Sequence, residues 1–360
     1  MKAAVCRTFG EPLSIEEISL AAPSEGEVQV QLKACAICHS DIMLLDGCWG
    51  GDLPAVYGHE AAGVVTSVGQ GVTHIVPGDH VVVTLIRSCG DCHYCSMDQS
   101  TQCEAQFPLD AISPLTDQQG VSLGHGLRTG GFAESVVVEA SQVCIIAKDV
   151  PFDAASLLAC GVITGFGAVS NTADVPVGAS VAVIGCGGVG LNSIQGAAHA
   201  RAGMVIALDL EDEKLMAAQQ FGATHTINSR SDDVAEQLIA LTGGRGADFV
   251  FVTVGAKSAI DLSTRLLAKS GTAVIVGMPA SGVMAEFDPG SFAAAGQKIL
   301  GSKMGSARVD RDIPALVEQY QAGSLMLDEL ISGRYSLDDI NEAITSVKAG
   351  SALRNVIVFP

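Results

Sequence analysis

Between Glu27 and Lys33 the chain alternates strictly, with Val28, Val30 and Leu32 apolar and the residues between them polar. A period of two predicts a strand with one buried face. Residues 62–68, 81–85 and 136–146 are further β-rich runs, punctuated by Pro77-Gly78-Asp79 and Gly130-Gly131. This first part, to about residue 150, reads as a partly open antiparallel barrel. From about residue 175 the pattern changes. Short apolar runs at 181–184, 205–208, 248–254 and 272–276 predict buried strands. Helical stretches are expected to about Arg201, over 213–221 with Gly222 as the stop, and over 258–268. Strands alternating with helices predict a parallel sheet covered on both faces. After about 303 two helices are expected, at 313–321 and 337–348, then a last strand at 355–359.

Composition narrows the function classes. The 360 residues are 48% hydrophobic and only 4% aromatic, so small aliphatic side chains and glycine dominate the packing. The formal charge is −19, from 20 basic and 39 acidic residues. So acidic a chain repels phosphate backbones and anionic lipid, and neither nucleic acid nor a membrane is an expected partner. The start, MKAAVCRTFGEPL, lacks an apolar signal core. Despite a mean hydropathy of +0.38, no uncharged apolar run is expected to span a bilayer, and the expected location is cytoplasmic.

Several motifs carry chemistry. Gly185-Cys186-Gly187-Gly188-Val189-Gly190 reads G-x-G-x-x-G. A predicted strand precedes it, a helix follows, and Asp209 ends the next strand. The glycines let backbone approach a pyrophosphate at a helix N-terminus, and an acidic residue at Asp209 suits the ribose hydroxyls of NAD and repels the 2′-phosphate of NADP. Cys89, Cys92, Cys95 and Cys103 form C-x2-C-x2-C-x7-C, the donor set of a closed tetrahedral zinc site. An iron–sulfur cluster can use the same four cysteines. Cys38, His59 and Cys160 together offer two sulfurs and an imidazole, which leave zinc a fourth, open position. The stretch ACAICHSDIM also contains Cys35 three residues before Cys38, so a redox dithiol is a local alternative.

As a set, Cys38-His39-Ser40-Asp41, Gly58-His59-Glu60-Ala61-Ala62-Gly63, the four-cysteine lobe, Cys160 with Thr164, Gly185 to Gly190 and Asp209 resemble the zinc-dependent medium-chain alcohol dehydrogenases, over nearly the whole chain and closest to the liver-type branch. The resemblance implies an α/β fold: a GroES-like catalytic domain at 1–161 and 304–360, with its zinc lobe at 89–103, and a Rossmann domain at 162–303. It implies two zincs per chain and NAD. Cys38, His59 and Cys160 would hold the catalytic zinc, with Glu60 an occasional or supporting ligand and Asp41 orienting His59. Cys89, Cys92, Cys95 and Cys103 would hold the structural zinc. Ser40 would accept the alcohol proton. Thr164 and Val189 would lie near the nicotinamide and dinucleotide, and His39, Lys214 and Arg354 where the family contacts phosphates or ribose. Trp49, Leu85, Phe132 and Met278 would line an apolar substrate pocket suited to a medium-chain or aromatic primary alcohol, or its aldehyde. A homodimer joined through an edge strand at 297–301 is expected.

Three positions depart from relatives. Met43 stands where many carry a histidine that ends a proton relay. Phe107 stands where glutathione-dependent formaldehyde dehydrogenases carry an arginine, and Trp49 where they carry an acid. That activity is the nearest alternative. A silent zinc- and NAD-binding protein and a zinc-free quinone reductase are the others.

Overall fold

The computed structural model describes residues 1–350 and 352–360. The chain divides into two units, Met1–Gly161 with Arg308–Pro360, and Val162–Ala307. The return to the first unit thus falls at Arg308 rather than at 304.

In the first unit, strand Glu27–Ala36 is the organising element. It pairs antiparallel with Glu60–Val68, Ser135–Glu139 and Arg354–Val358 in a seven-stranded sheet. Val28, Val30 and Leu32 are fully buried in one core cluster with Val136, Val138, Phe132 and Ile357. Each such side chain contributes on the order of 1.5–3 kcal/mol. A one-residue slip would turn all three outward, so the alternation fixes the register. A smaller sheet orders Ser14–Glu17, Lys2–Cys6, Ala55–Val56 and Gly124–His125. The β-rich run at 136–146 is broken into Ser135–Glu139 and Val143–Ile145, which pair with different strands. A 3-10 turn at Ala140–Gln142 separates them, and the Gln142 side chain accepts the Glu139 N–H.

The alternation does not run through to Cys35. Opposite Glu60–Val68, the register shifts between Leu32 and Ala34, which face Gly63 and Ala62. One extra residue on the long strand reverses the parity. Cys35 therefore joins the same core cluster as Val28, Val30 and Leu32. The alternation alone puts it on the opposite face.

The second unit carries six parallel strands, ordered His225–Asn228, Met204–Asp209, Ser180–Ile184, Ala247–Val252, Leu267–Ile275 and Lys298–Gly301. The order reverses beside Ser180–Ile184, and Gly185 follows at that strand's carboxyl end, where doubly wound sheets bind dinucleotides. Strand His225–Asn228 and helix Val234–Leu241 escape the sequence pattern. The helix expected over 258–268 spans only Lys257–Ser263, because Leu267 and Ala268 belong to the next strand.

Among the described residues one helical run, Phe152–Thr172, is long and apolar enough to cross a membrane, contrary to the expectation that none is; 89% of its apolar window is buried within the protein.

Candidate functional site

Strand Glu27–Ala36 ends just before Cys38, which stands at the N-terminus of helix His39–Leu45. Asp41 is fully buried in the first turn, and its carboxylate accepts three N–H groups. The Cys38 N–H donates to Oδ2, the Gly58 N–H donates to Oδ1, and His59 Nδ1 lies 3.0 Å from Oδ1. Asp41 thus ties helix, turn and histidine together and leaves His59 Nε2 facing away. That Nε2 is buried and has no hydrogen-bond partner. Gly58 needs glycine: its φ is +91°, and a Cβ there would meet the Phe132 ring and backbone at 2.6 Å.

Cys160 reaches the same place from the run Phe152–Thr172, within a π-helical turn at Leu158–Val162. Such turns often mark functional positions. The ligand atoms of Cys38, His59, Glu60 and Cys160 lie within 4.8 Å of one another, and all four residues are buried. Arg354 stands behind Glu60, with Nη2 2.5 Å from Oε2. The Gly161 N–H donates to the same oxygen, and Oε1 has no partner. A Cβ on Gly161 would lie 2.6 Å from Arg354 Nη1, so side chains larger than hydrogen displace the arginine.

The electrostatics call for a cation. The hydrogen bond from Cys160 holds the Cys38 thiol well below the ordinary range. The same bond, with burial, pushes Cys160 up. Burial opposes charge on His59, yet the Asp41 carboxylate and the Cys38 sulfur raise it well above the usual histidine range. Burial pushes the Glu60 carboxyl up to about 7 against the pull of Arg354. A divalent metal held by these residues would supply the positive charge that His59 Nε2 otherwise takes from a proton. Two sulfurs, one imidazole and a carboxylate held back by an arginine fit zinc with an open position.

The second cluster is local and half-exposed. Cys89, Cys92, Cys95 and Cys103 also gather their sulfurs within 4.8 Å. The Cys89 N–H donates to Cys103 Sγ and the Cys92 N–H to Cys89 Sγ. Backbone N–H groups of Cys95 and Glu104 hold the Cys92 thiol down to about 6. Loop N–H groups aimed at sulfur favour thiolates, and four thiolates fit a closed zinc site.

In the second unit Gly185 and Gly190 are sterically required. A Cβ on Gly190 would lie 1.7 Å from the Gly185 carbonyl oxygen, Gly185 has φ +97°, and Gly187 faces open space. Gly188 and Val189 open helix Gly188–His199. Asp209 accepts the Cys186 N–H at 2.6 Å and the Glu211 N–H at 3.1 Å. Thr164 is buried with Oγ1 3.6 Å from Met304 Sδ, and its neighbour Gly165 packs against the Val189 carbonyl. Lys214 is half-buried on helix Asp212–Gln220.

Phe132 and Arg354 lie elsewhere than the resemblance implies. Phe132 is fully buried in the barrel core, with its N–H on the Tyr57 carbonyl and its own carbonyl on the Ala4 N–H, so it is not a pocket wall. Met278 is 64% exposed. Arg354 is only 5% exposed and serves Glu60 rather than an open phosphate site. Trp49, Leu85 and Ser40 are half-buried and His39 is exposed. The buried pair Arg87 and Gln142 carries no motif, and only two polar residues amid apolar runs hinted at it.

Comparison with known proteins bears on the same regions. The family described as "Alcohol dehydrogenase GroES-like domain" matches residues 24–148, and that described as "Zinc-binding dehydrogenase" matches residues 188–322. The chain is 37% identical to an NDMA-dependent alcohol dehydrogenase of Amycolatopsis methanolica, covering 99% of this chain and 98% of that one. It is 35% identical to an S-(hydroxymethyl)glutathione dehydrogenase of Paracoccus denitrificans, covering 99% of each. The crystal structure of a benzyl alcohol dehydrogenase from Acinetobacter calcoaceticus superposes with a TM-score of 0.94 at 30% identity, covering 100% of this chain and 99% of that one.

Proposed function

We propose that this chain, which belongs to the zinc-dependent alcohol dehydrogenases of the medium-chain dehydrogenase/reductase superfamily, interconverts a medium-chain or aromatic primary alcohol and its aldehyde with NAD as hydride carrier. The observation that carries the reading is the buried set Cys38, His59 and Cys160 with a partnerless His59 Nε2. Zinc held there supplies Lewis acidity toward an alcohol or carbonyl oxygen. The protein's own residues do the rest. Asp41 keeps the Nδ1 proton of His59 in place, which fixes the tautomer and turns Nε2 to the metal. Ser40, in the first turn of helix His39–Leu45, takes the alcohol proton on its hydroxyl as it passes its own hydroxyl proton on to water. Glu60 is held by Arg354 and Gly161, so it supports the centre without filling the fourth position. Cys89, Cys92, Cys95 and Cys103 hold the second zinc.

The dinucleotide rests on Gly185, Gly187, Gly188 and Gly190. Asp209, Glu211, Asp212 and Glu213 give the ribose end an acidic rim, and Arg230 is tied to Glu211 and the Leu210 carbonyl. That rim disfavours a 2′-phosphate and supports NAD over NADP. Half-buried Trp49 and Leu85 support an apolar substrate, as does the name of the benzyl alcohol relative. The glutathione-adduct reading has a named relative in its favour. Against it stand Phe107 and Trp49, since a buried substrate carboxylate without a cationic partner is costly. The edge strand Lys298–Gly301, with exposed Met284, Phe287 and Ile299 in the same unit, supports a homodimer.

The test is zinc analysis combined with NADH absorbance, using benzyl alcohol, hexanol and S-(hydroxymethyl)glutathione, with and without NDMA. Two zincs per chain and preferred turnover of the free alcohols with NAD support the reading. Preferred turnover of the glutathione adduct moves the assignment to that activity. No turnover of any alcohol or aldehyde removes it.

A further inference from the structure

Arg87 is 2% exposed and has no part in the proposed reaction. Its guanidinium is committed to three acceptors: Nε donates to Gln142 Oε1 at 2.7 Å, Nη1 to Asp110 Oδ1 at 2.7 Å, and Nη2 to the Arg128 carbonyl at 3.1 Å. Gln142 is fully buried, and its Nε2 donates to the Thr84 carbonyl at 2.7 Å and to the Arg128 carbonyl at 3.1 Å. Two buried donors therefore converge on one backbone oxygen.

The residue they hold is strained. Leu127 and Arg128 are consecutive non-glycine residues in the left-handed region, with φ of 49° and 62°. Such backbone persists only where its surroundings over-determine it, and it clusters at functional sites. The strap they belong to, residues 126–132, lies on the residues leading to His59. A Cβ on Gly126 would lie 2.5 Å from the Tyr57 ring and from the Val56 carbonyl oxygen, so strap and strand are in close backbone contact. The Gly131 N–H donates to the Gly58 carbonyl and the Phe132 N–H to the Tyr57 carbonyl, both at 2.8 Å. The Gly58 N–H in turn donates to Asp41 Oδ1, the oxygen that faces His59 Nδ1. An unbroken series of contacts runs from the Arg87 guanidinium to the imidazole.

We propose that Arg87 and Gln142 are positioning residues for the reaction: by gripping the Arg128 carbonyl they clamp residues 126–132 onto residues 56–58 and so set the orientation of His59 at the metal. The inference rests on the reading of Cys38, His59 and Cys160 as a metal centre. Leu85, proposed as a substrate contact, lies two residues before Arg87, so the same clamp bears on substrate preference.

The test replaces zinc by cobalt(II) at the buried site of the whole protein and records the visible absorption of Arg87→Met, Gln142→Met and Asp110→Asn. Arg87→Met shifts the cobalt bands and lowers kcat by about tenfold or more, the range seen when a metal ligand loses its orienting partner. Gln142→Met moves the bands in the same direction by less. Asp110→Asn, which takes the carboxylate from the Arg87 and Arg128 side chains but leaves both donors to the Arg128 carbonyl, shifts the bands less than Arg87→Met, and a larger shift than that of Arg87→Met counts against the grip on the carbonyl. A wild-type spectrum in folded Arg87→Met, whatever its melting temperature, overturns the proposal. If Arg87→Met does not fold, a wild-type spectrum in Gln142→Met does so. The spectrum needs no substrate, so it decides the clamp even where wild type turns over no alcohol, an outcome that defeats the proposed function separately.

Discussion

The four-cysteine lobe draws all its ligands from residues 89–103 and is half-exposed, while the other centre draws on positions 38, 59 and 160, all of them buried. The lobe positions its sulfurs with its own backbone N–H groups. The buried centre needs the end of strand Glu27–Ala36, the start of strand Glu60–Val68 and a π-helical turn, with Asp41 and Arg354 behind them. The difference follows from the task. A saturated tetrahedral site has no room for a substrate and can be encoded in a loop. A site with an open position must hold three ligands rigidly, restrain a fourth candidate and exclude water, which takes a folded barrel around it.

Breaking one ligand in each centre gives the largest contrast. Cys38→Ser is expected to lose one zinc per chain and reduce turnover to background while the lobe zinc stays, as read by metal analysis and NADH production. Asp41→Asn is expected to leave the ligands in place but weaken metal binding at the buried centre by about 10–100-fold, measured by competition with a chelator. Cys103→Ser is expected to lose the lobe zinc and keep the buried one. Its effect is on stability, and each lost kcal/mol lowers the melting temperature by about 2–4 °C in a unit of this size. Cys35→Ser sharpens the contrast from the other side. It is expected to keep both zincs and activity, with a fall in melting temperature of a few degrees from a hydroxyl placed in a fully buried core site. A redox dithiol would instead lose its function with either cysteine. The smallest effect is expected from Met43→His, with water serving in place of the side chain and the pH–rate profile unchanged. A gain below neutral pH would show that proton release limits wild type.

The same contrast governs what can be read from the sequence. The lobe is legible because its four cysteines are close together and their spacing is the chemistry. The buried centre is not: Cys38, His59 and Cys160 have no local signal that joins them, and only their resemblance as a set to one family does so. The parallel strands at Ser180–Ile184 and Met204–Asp209 are legible because both faces are buried and the runs are continuously apolar. Strand His225–Asn228 is not, since it is short, polar and only partly buried. Cys35 is misplaced by alternation because a bulge is a property of two strands together, and the chain alone gives only one of them. Phe132 is misplaced because a large apolar side chain suits a pocket wall and a core equally; the contacts to Gly58 and Tyr57 decide for the core. Arg87 and Gln142 are legible only in three dimensions, where their donors meet at the Arg128 carbonyl.

The account stands most directly on where metal binds. Anomalous X-ray scattering at the zinc edge from crystals of the purified protein measures this without reference to activity. Two peaks per chain are predicted, one bounded by Cys38, His59 and Cys160 with Glu60 held back by Arg354, the other by Cys89, Cys92, Cys95 and Cys103. A peak at the lobe alone, or a buried peak from which Cys38 is excluded, would contradict the account.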